Sequence, residues 1–185
     1  MTRFEYLSVL VSIVVALGIS EVTVAWARVL QQKVTTRIYW LHGFWSIFSL
    51  FLMIQFWWGF WRYRTVENWT LMSLIIVLTV VVTLSLCALM LVPRVRSDTH
   101  FDSRSTYFDN AAKFFILGGS FIFLVCFMDV TILGSPILHL ENIFRGAGVI
   151  VALGIATTQS EKIHTGFVFF SVPLLFGFLA TTITY

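Results

Sequence analysis

The sequence predicts an all-α fold, a polytopic membrane bundle of six transmembrane helices, and three observations predict it. The 185-residue chain is 58% hydrophobic, with a mean hydropathy of +0.90. Only 11% of its residues are charged, against about 25% in a typical soluble domain. The apolar residues come in long runs parted by short polar loops, as expected of helices that each cross about 30 Å of hydrocarbon. No linker or low-complexity tract interrupts the pattern, so residues 1–185 are expected to form a single bundle.

The first span, 4–30, is apolar except for Glu21 in its second half and the basic residue Arg28 near its end. The start, Met1-Thr2-Arg3, lacks the basic region and small-residue cleavage site of a signal peptide, so this helix is expected to be retained. The second span, 38–61, has no charge before Arg62 and carries His42 near its start. The third, 69–92, is uncharged and stopped by Pro93. A polar segment leads to the fourth, 111–131, which spans only if Lys113 and Asp129 reach toward opposite interfaces. Gly134 and Pro136 break the chain before the fifth span, 137–157, which takes His139, Glu141 and Arg145 into the membrane zone. The sixth, 165–185, is free of charge. A four-span protein, with the fourth and fifth segments re-entrant, is the alternative.

Basic residues set the orientation. Loops one, three and five carry Arg28, Lys33, Arg37, Arg94, Arg96, Arg104, Lys113 and Lys162, whereas Arg3, Arg62 and Arg64 lie on the other face. That asymmetry puts the odd loops in the cytoplasm and both termini outside. Trp57, Trp58, Trp61 and Trp69 bracket the outer loop and Tyr39 and Trp40 mark the inner interface, as aromatic belts do.

The charged residues inside spans are the candidate site, because an ionisable group in hydrocarbon is costly and needs a partner. Charged side chains avoid lipid, so spans one, four and five are expected to converge inside a shell of the three uncharged ones. Gly148, Ala152 and Ala156 recur every four residues, a small-residue stripe that lets helices approach closely. Arg145 lies within about 60° of it at 100° per residue. Asp129, Glu141 and Arg145 are therefore expected to form a polar cluster in the outer half, with His139 an accessory titratable group. Glu21 lies deeper toward the cytoplasm, with Arg28 two turns further along the same face. An acid at that depth, trading a proton between a wet vestibule and a dry core, is what a proton-coupled carrier would use. The equally physical reading is a hydrogen-bonded packing residue.

Other chemistry has little support. His42 and His164 start two spans on the same side, but a bis-histidine haem reading lacks geometry and no cofactor is expected. Asp98, His100 and Asp102 alternate in the third loop among arginines, as a solvated loop at the headgroups would; no metal site is expected. No GxSxG elbow, HExxH helix or phosphate-binding loop occurs, so nothing marks an enzyme. Cys87 and Cys126 sit in apolar runs and read as small buried hydrophobes. The net charge of +3 is spread over loops, so nucleic acid is not an expected partner. The expected partners are the lipid bilayer and either further copies of the chain or another membrane subunit.

The opening FEYLSVLVSIVVALGISEV, with the Trp-rich IYWLHGFWSIF and QFWWGFWRYR, resembles a family of small bacterial integral membrane proteins. The resemblance covers the first two spans best. It implies a bacterial cytoplasmic (inner) membrane and six helices, and it brings no catalytic residues. Function then divides between a small ion or solute transporter or channel subunit using the buried charges, and a non-transporting sensor, assembly factor or partner subunit in which they only dock helices.

Overall fold

The computed structural model describes residues 2–31, 38–93 and 102–182, with side chains as far as residue 172. Lys33, Arg37, Arg94, Arg96, Asp98, His100 and the last residues of the expected sixth span lie outside the described residues. The helices are α1 (Arg3–Leu30), α2 (Trp40–Gly59), α3 (Leu71–Leu89), α4 (Ser103–Ile132), α5 (Leu140–Ala156) and α6 (Glu161–Thr182). A 3-10 segment, Phe60–Thr65, prolongs α2.

Local chemistry sets the helix ends. At α1, Thr2 accepts from the Glu5 N–H while the Glu5 carboxylate accepts from the Thr2 N–H, a reciprocal capping box. Thr70 caps α3 by accepting from the Ser73 N–H. Asp102 caps α4 by accepting from the N–H groups of Arg104 and Ser105. The turn after α4 passes through Gly134 at φ +66°, a left-handed conformation that glycine adopts without steric cost.

The helices run up and down, with opposite ends of neighbours meeting at each face. At one end Phe4 stacks on Phe60 at 5.4 Å, and Arg3 donates to the Trp69 carbonyl at 3.2 Å. At the other, Trp26 meets His42 edge-on at 5.1 Å, and Arg104 of α4 pairs with Glu161 of α6 at 2.8 Å. Two apolar cores fill the length between. One is built from α1, α3 and α2 with its extension, around Val11, Met53 and Val80. The other joins α2, α4 and the start of α6 around Trp45, Phe114 and Phe115. Gly18 is where α1 comes closest to its neighbours: a Cβ there would sit 2.7 Å from Met53 Cε and 3.0 Å from Ser85 Oγ.

One expectation is supported in part and another changes. Among the described residues, four helices are long and apolar enough to cross a membrane: α1, α2 with its extension, α3 and α4. With 17 residues, α5 covers only about 26 Å at 1.5 Å per residue, short of about 30 Å. The fourth span is longer than expected, since the Asp102 cap starts α4 two turns before residue 111.

Spans one, four and five do not converge. The neighbours of α1 are α2 and α3, while α4 packs against α3 and α5. The reason is steric. The valine stripe of α1 (Val11, Val15, Val22) and the close approach at Gly18 set the rotation of the helix. Glu21 then falls about 80° from the centre of the buried stripe at 100° per residue.

Candidate functional site

A carboxylate buried among apolar helices must be paired or hydrogen-bonded to persist as an ion. Asp129, in the last turn of α4, is 3% exposed and both of its oxygens are engaged. The Tyr63 hydroxyl, from the 3-10 segment, donates to Oδ1. Arg145, one turn into α5, donates to Oδ2 at 2.5 Å and to Asn142 Oδ1 at 3.2 Å. Glu141 bridges outward, with its Oε2 3.6 Å from Arg145 Nη2 and 3.3 Å from Arg62 Nη1. Arg62 also lies 3.9 Å from Asp129 Oδ2. Two carboxylates and two guanidinium groups thus balance, grading from the buried Asp129 to the half-exposed Arg62.

Local structure delivers each group. Asp129 and Arg145 meet because the Gly134 turn folds α5 back along α4, and small residues let the pair close. A Cβ on Gly119 would touch Ala152 Cβ at 3.5 Å. Tyr63 and Arg62 arrive because the 3-10 segment carries the chain from α2 over the end of α4. Asp129, Glu141 and Arg145 are thereby brought together. Arg62, Tyr63 and Asn142 were not among the residues singled out in the sequence. Arg62 reads there only as a loop cation, and a tyrosine in a Trp-rich stretch gives no signal of its own.

The remaining residues lie elsewhere. His139 is the N-cap residue of α5 and is exposed, outside the cluster. His42 is fully buried at the opposite end of the bundle. Its Nε2–H donates to the Leu91 carbonyl at 2.7 Å. Its Nδ1 accepts from Ser103 Oγ at 2.9 Å, which in turn accepts from the Tyr39 N–H at 3.1 Å. Nδ1 also lies 3.1 Å from the Ser103 backbone carbonyl. His164 is held likewise, with Nδ1 accepting from the Tyr107 hydroxyl at 2.7 Å and Nε2–H donating to the Thr158 carbonyl at 3.0 Å. Beside them, just before α2, burial and the nearby Glu161 carboxylate push the Tyr39 phenol up to about 12.

Glu21 and Arg28 are both on the outer surface of α1. Among the described residues no ion pair links them and no hydrogen bond reaches the Glu21 carboxylate. Nor do three His, Cys, Asp or Glu side chains gather among the described residues as a metal ion would require.

Fold and site define a helical membrane protein, its apolar helices facing lipid. No family model, curated protein or solved structure matches the chain.

Proposed function

We propose that the chain is a non-transporting subunit of a membrane assembly, in which charged side chains dock helices instead of moving a solute. The observation that carries this reading is how differently Glu21 and Asp129 are placed. Asp129 is satisfied entirely within the chain, by Tyr63 and Arg145, and ties α5 and the 3-10 segment to α4. Glu21 is exposed on the flank of α1, where a side chain meets either lipid or another protein, and an ionisable group in lipid calls for a partner. A carrier would need Glu21 to line a water path. Two grooves, of about 170 and 390 Å³, lie at opposite ends of the α3–α4 pair, and neither is lined by Glu21, Asp129 or Arg145.

The subunit is a six-pass protein of a bacterial cytoplasmic membrane with both termini outside. Supporting six passes, α5 meets α4 at Arg145–Asp129, while α6 meets the other end of α4 at His164–Tyr107. Those points lie 22 residues apart on α4, about 33 Å at 1.5 Å per residue, so α5 and its linkers traverse that depth and α6 starts back. The excess of basic residues in the odd loops supports the orientation.

Proton flux into proteoliposomes under an imposed potential tests the reading. The expected rate is that of protein-free vesicles, for wild type and Glu21→Gln alike. Flux above that rate in the wild type overturns the proposal, and its loss in Glu21→Gln would make Glu21 the carrier.

A further inference from the structure

The outward face of α1 carries Glu21 and, two turns on, Arg28, with Leu17 and Val24 between and above them. A second outward face, on α4, carries Asp109 and, one turn on, Lys113, continued by Ile116, Ser120 and Phe123. By helical geometry these α4 residues share one stripe opposite the buried side of the helix. Among the described residues none of the four charged groups has an ion pair within the chain, whereas every charged group of the Asp129 cluster does.

The two faces match in depth. Phe4 of α1 and Asp129 of α4 lie at one level, joined through Phe60, which stacks on Phe4 at 5.4 Å and on Tyr63 at 5.5 Å, and through the Tyr63–Asp129 hydrogen bond. From that level Glu21 is 17 residues down α1 and Lys113 is 16 residues down α4, about 26 and 24 Å at 1.5 Å per residue. A second chain of contacts agrees. Gly18 abuts Ser85 of α3, and two residues further down α3 the Cys87 thiol donates to the Phe114 carbonyl of α4. Glu21 follows Gly18 by less than a turn, and Lys113 adjoins Phe114. Because α1 and α4 run in opposite directions, the charges reverse in register: acid above base on α1, base above acid on α4.

We propose that the occupant of each face is a second copy of this chain in the same membrane orientation. The α1 of one copy lies antiparallel against the α4 of the next, pairing Glu21 with Lys113 and Arg28 with Asp109. Opposite charges at matched depth give each of these groups the partner that it lacks among the described residues. Arg28 leans toward the N-terminal end of α1, as helical side chains do, which shortens its reach to Asp109. The contact joins unlike faces, so each copy keeps one of each, and a two-fold pair or a closed ring uses both. The inference rests on the proposed reading that Glu21 serves docking and not carriage.

The test measures association of the full-length protein in lipid vesicles by energy transfer between labelled copies as the protein is diluted in lipid. Charge reversal in Glu21→Lys is expected to weaken association at least tenfold, and the exchange Glu21→Lys with Lys113→Glu to restore it. Thermal unfolding of Glu21→Lys in detergent should match wild type, because Glu21 has no partner among the described residues. A photo-crosslinker at Leu17 should join residues 109–123 of another copy. A wild type that stays monomeric, an unaffected Glu21→Lys, no recovery in the double exchange, or a crosslink to any other surface or protein overturns the proposal. Flux in the vesicle assay would instead sink the docking reading itself, so the two failures are told apart.

Discussion

The two ends of the bundle solve one problem in different ways. At the Asp129 end, three elements are joined by ions: α4, α5 and the 3-10 segment meet through two carboxylates and two guanidinium groups, and Tyr63 completes the shell of Asp129. At the His42 end, helices are joined by neutral groups. Two fully buried imidazoles each bridge a hydroxyl and a backbone carbonyl, and among the described residues one ion pair, Arg104–Glu161, lies at the surface. The difference teaches where failure costs most. A buried ion that loses its partner is left uncompensated, whereas a neutral network that loses a member leaves only unsatisfied dipoles.

The largest effect should come from Arg145→Ala, which strands the Asp129 carboxylate. Removing one partner of a buried pair costs about 3–5 kcal/mol, read as a large drop in the detergent melting temperature. A loss no greater than that of His42→Leu would break the comparison. His42→Leu orphans the Leu91 carbonyl and Ser103 hydroxyl at the other end, for about 1–3 kcal/mol by the cost of an unsatisfied buried group. Its effect should not depend on salt. Of similar size is Tyr63→Phe, which removes one hydrogen bond to a charged group, worth about 1.5–3 kcal/mol, while leaving the Arg145 pair intact. In a double-mutant cycle, Tyr63→Phe and Arg145→Ala should be non-additive, because both act on one carboxylate. The smallest is Arg62→Ala. Half exposed, its bridges are worth about 0.2–1 kcal/mol and should fade at high salt. An Arg62 effect as large as that of Arg145 would mean that the outer rim, not the buried pair, holds α5.

Asp129, Glu141 and Arg145 were legible as a group because charges in apolar runs are scarce. Helical spacing alone places Glu141 one turn before Arg145 and turns Arg145 toward the small-residue stripe. Tyr63 and Arg62 were not legible. They reach Asp129 across a sequence separation of more than sixty residues, through a 3-10 extension that hydrophobic periodicity does not signal. The same holds for Ser103, whose place beside His42 depends on α4 starting two turns earlier than its apolar run.

Glu21 marks the boundary most clearly. The sequence shows an acid in an apolar helix, and the rule that charges avoid lipid turns it inward. That rule acts on the whole assembly, not on one chain. In the bundle, the rotation of α1 is settled by many small terms at once, the valine stripe and the near-contact of Gly18 with Met53 and Ser85, and these outweigh the preference of a single side chain. Composition and spacing therefore determine that the chain is a helical membrane protein and which residues are costly there. Which of those residues meet, and which are left facing outward, was decided only by packing, because the face a helix buries is a property of its neighbours as much as of its own residues.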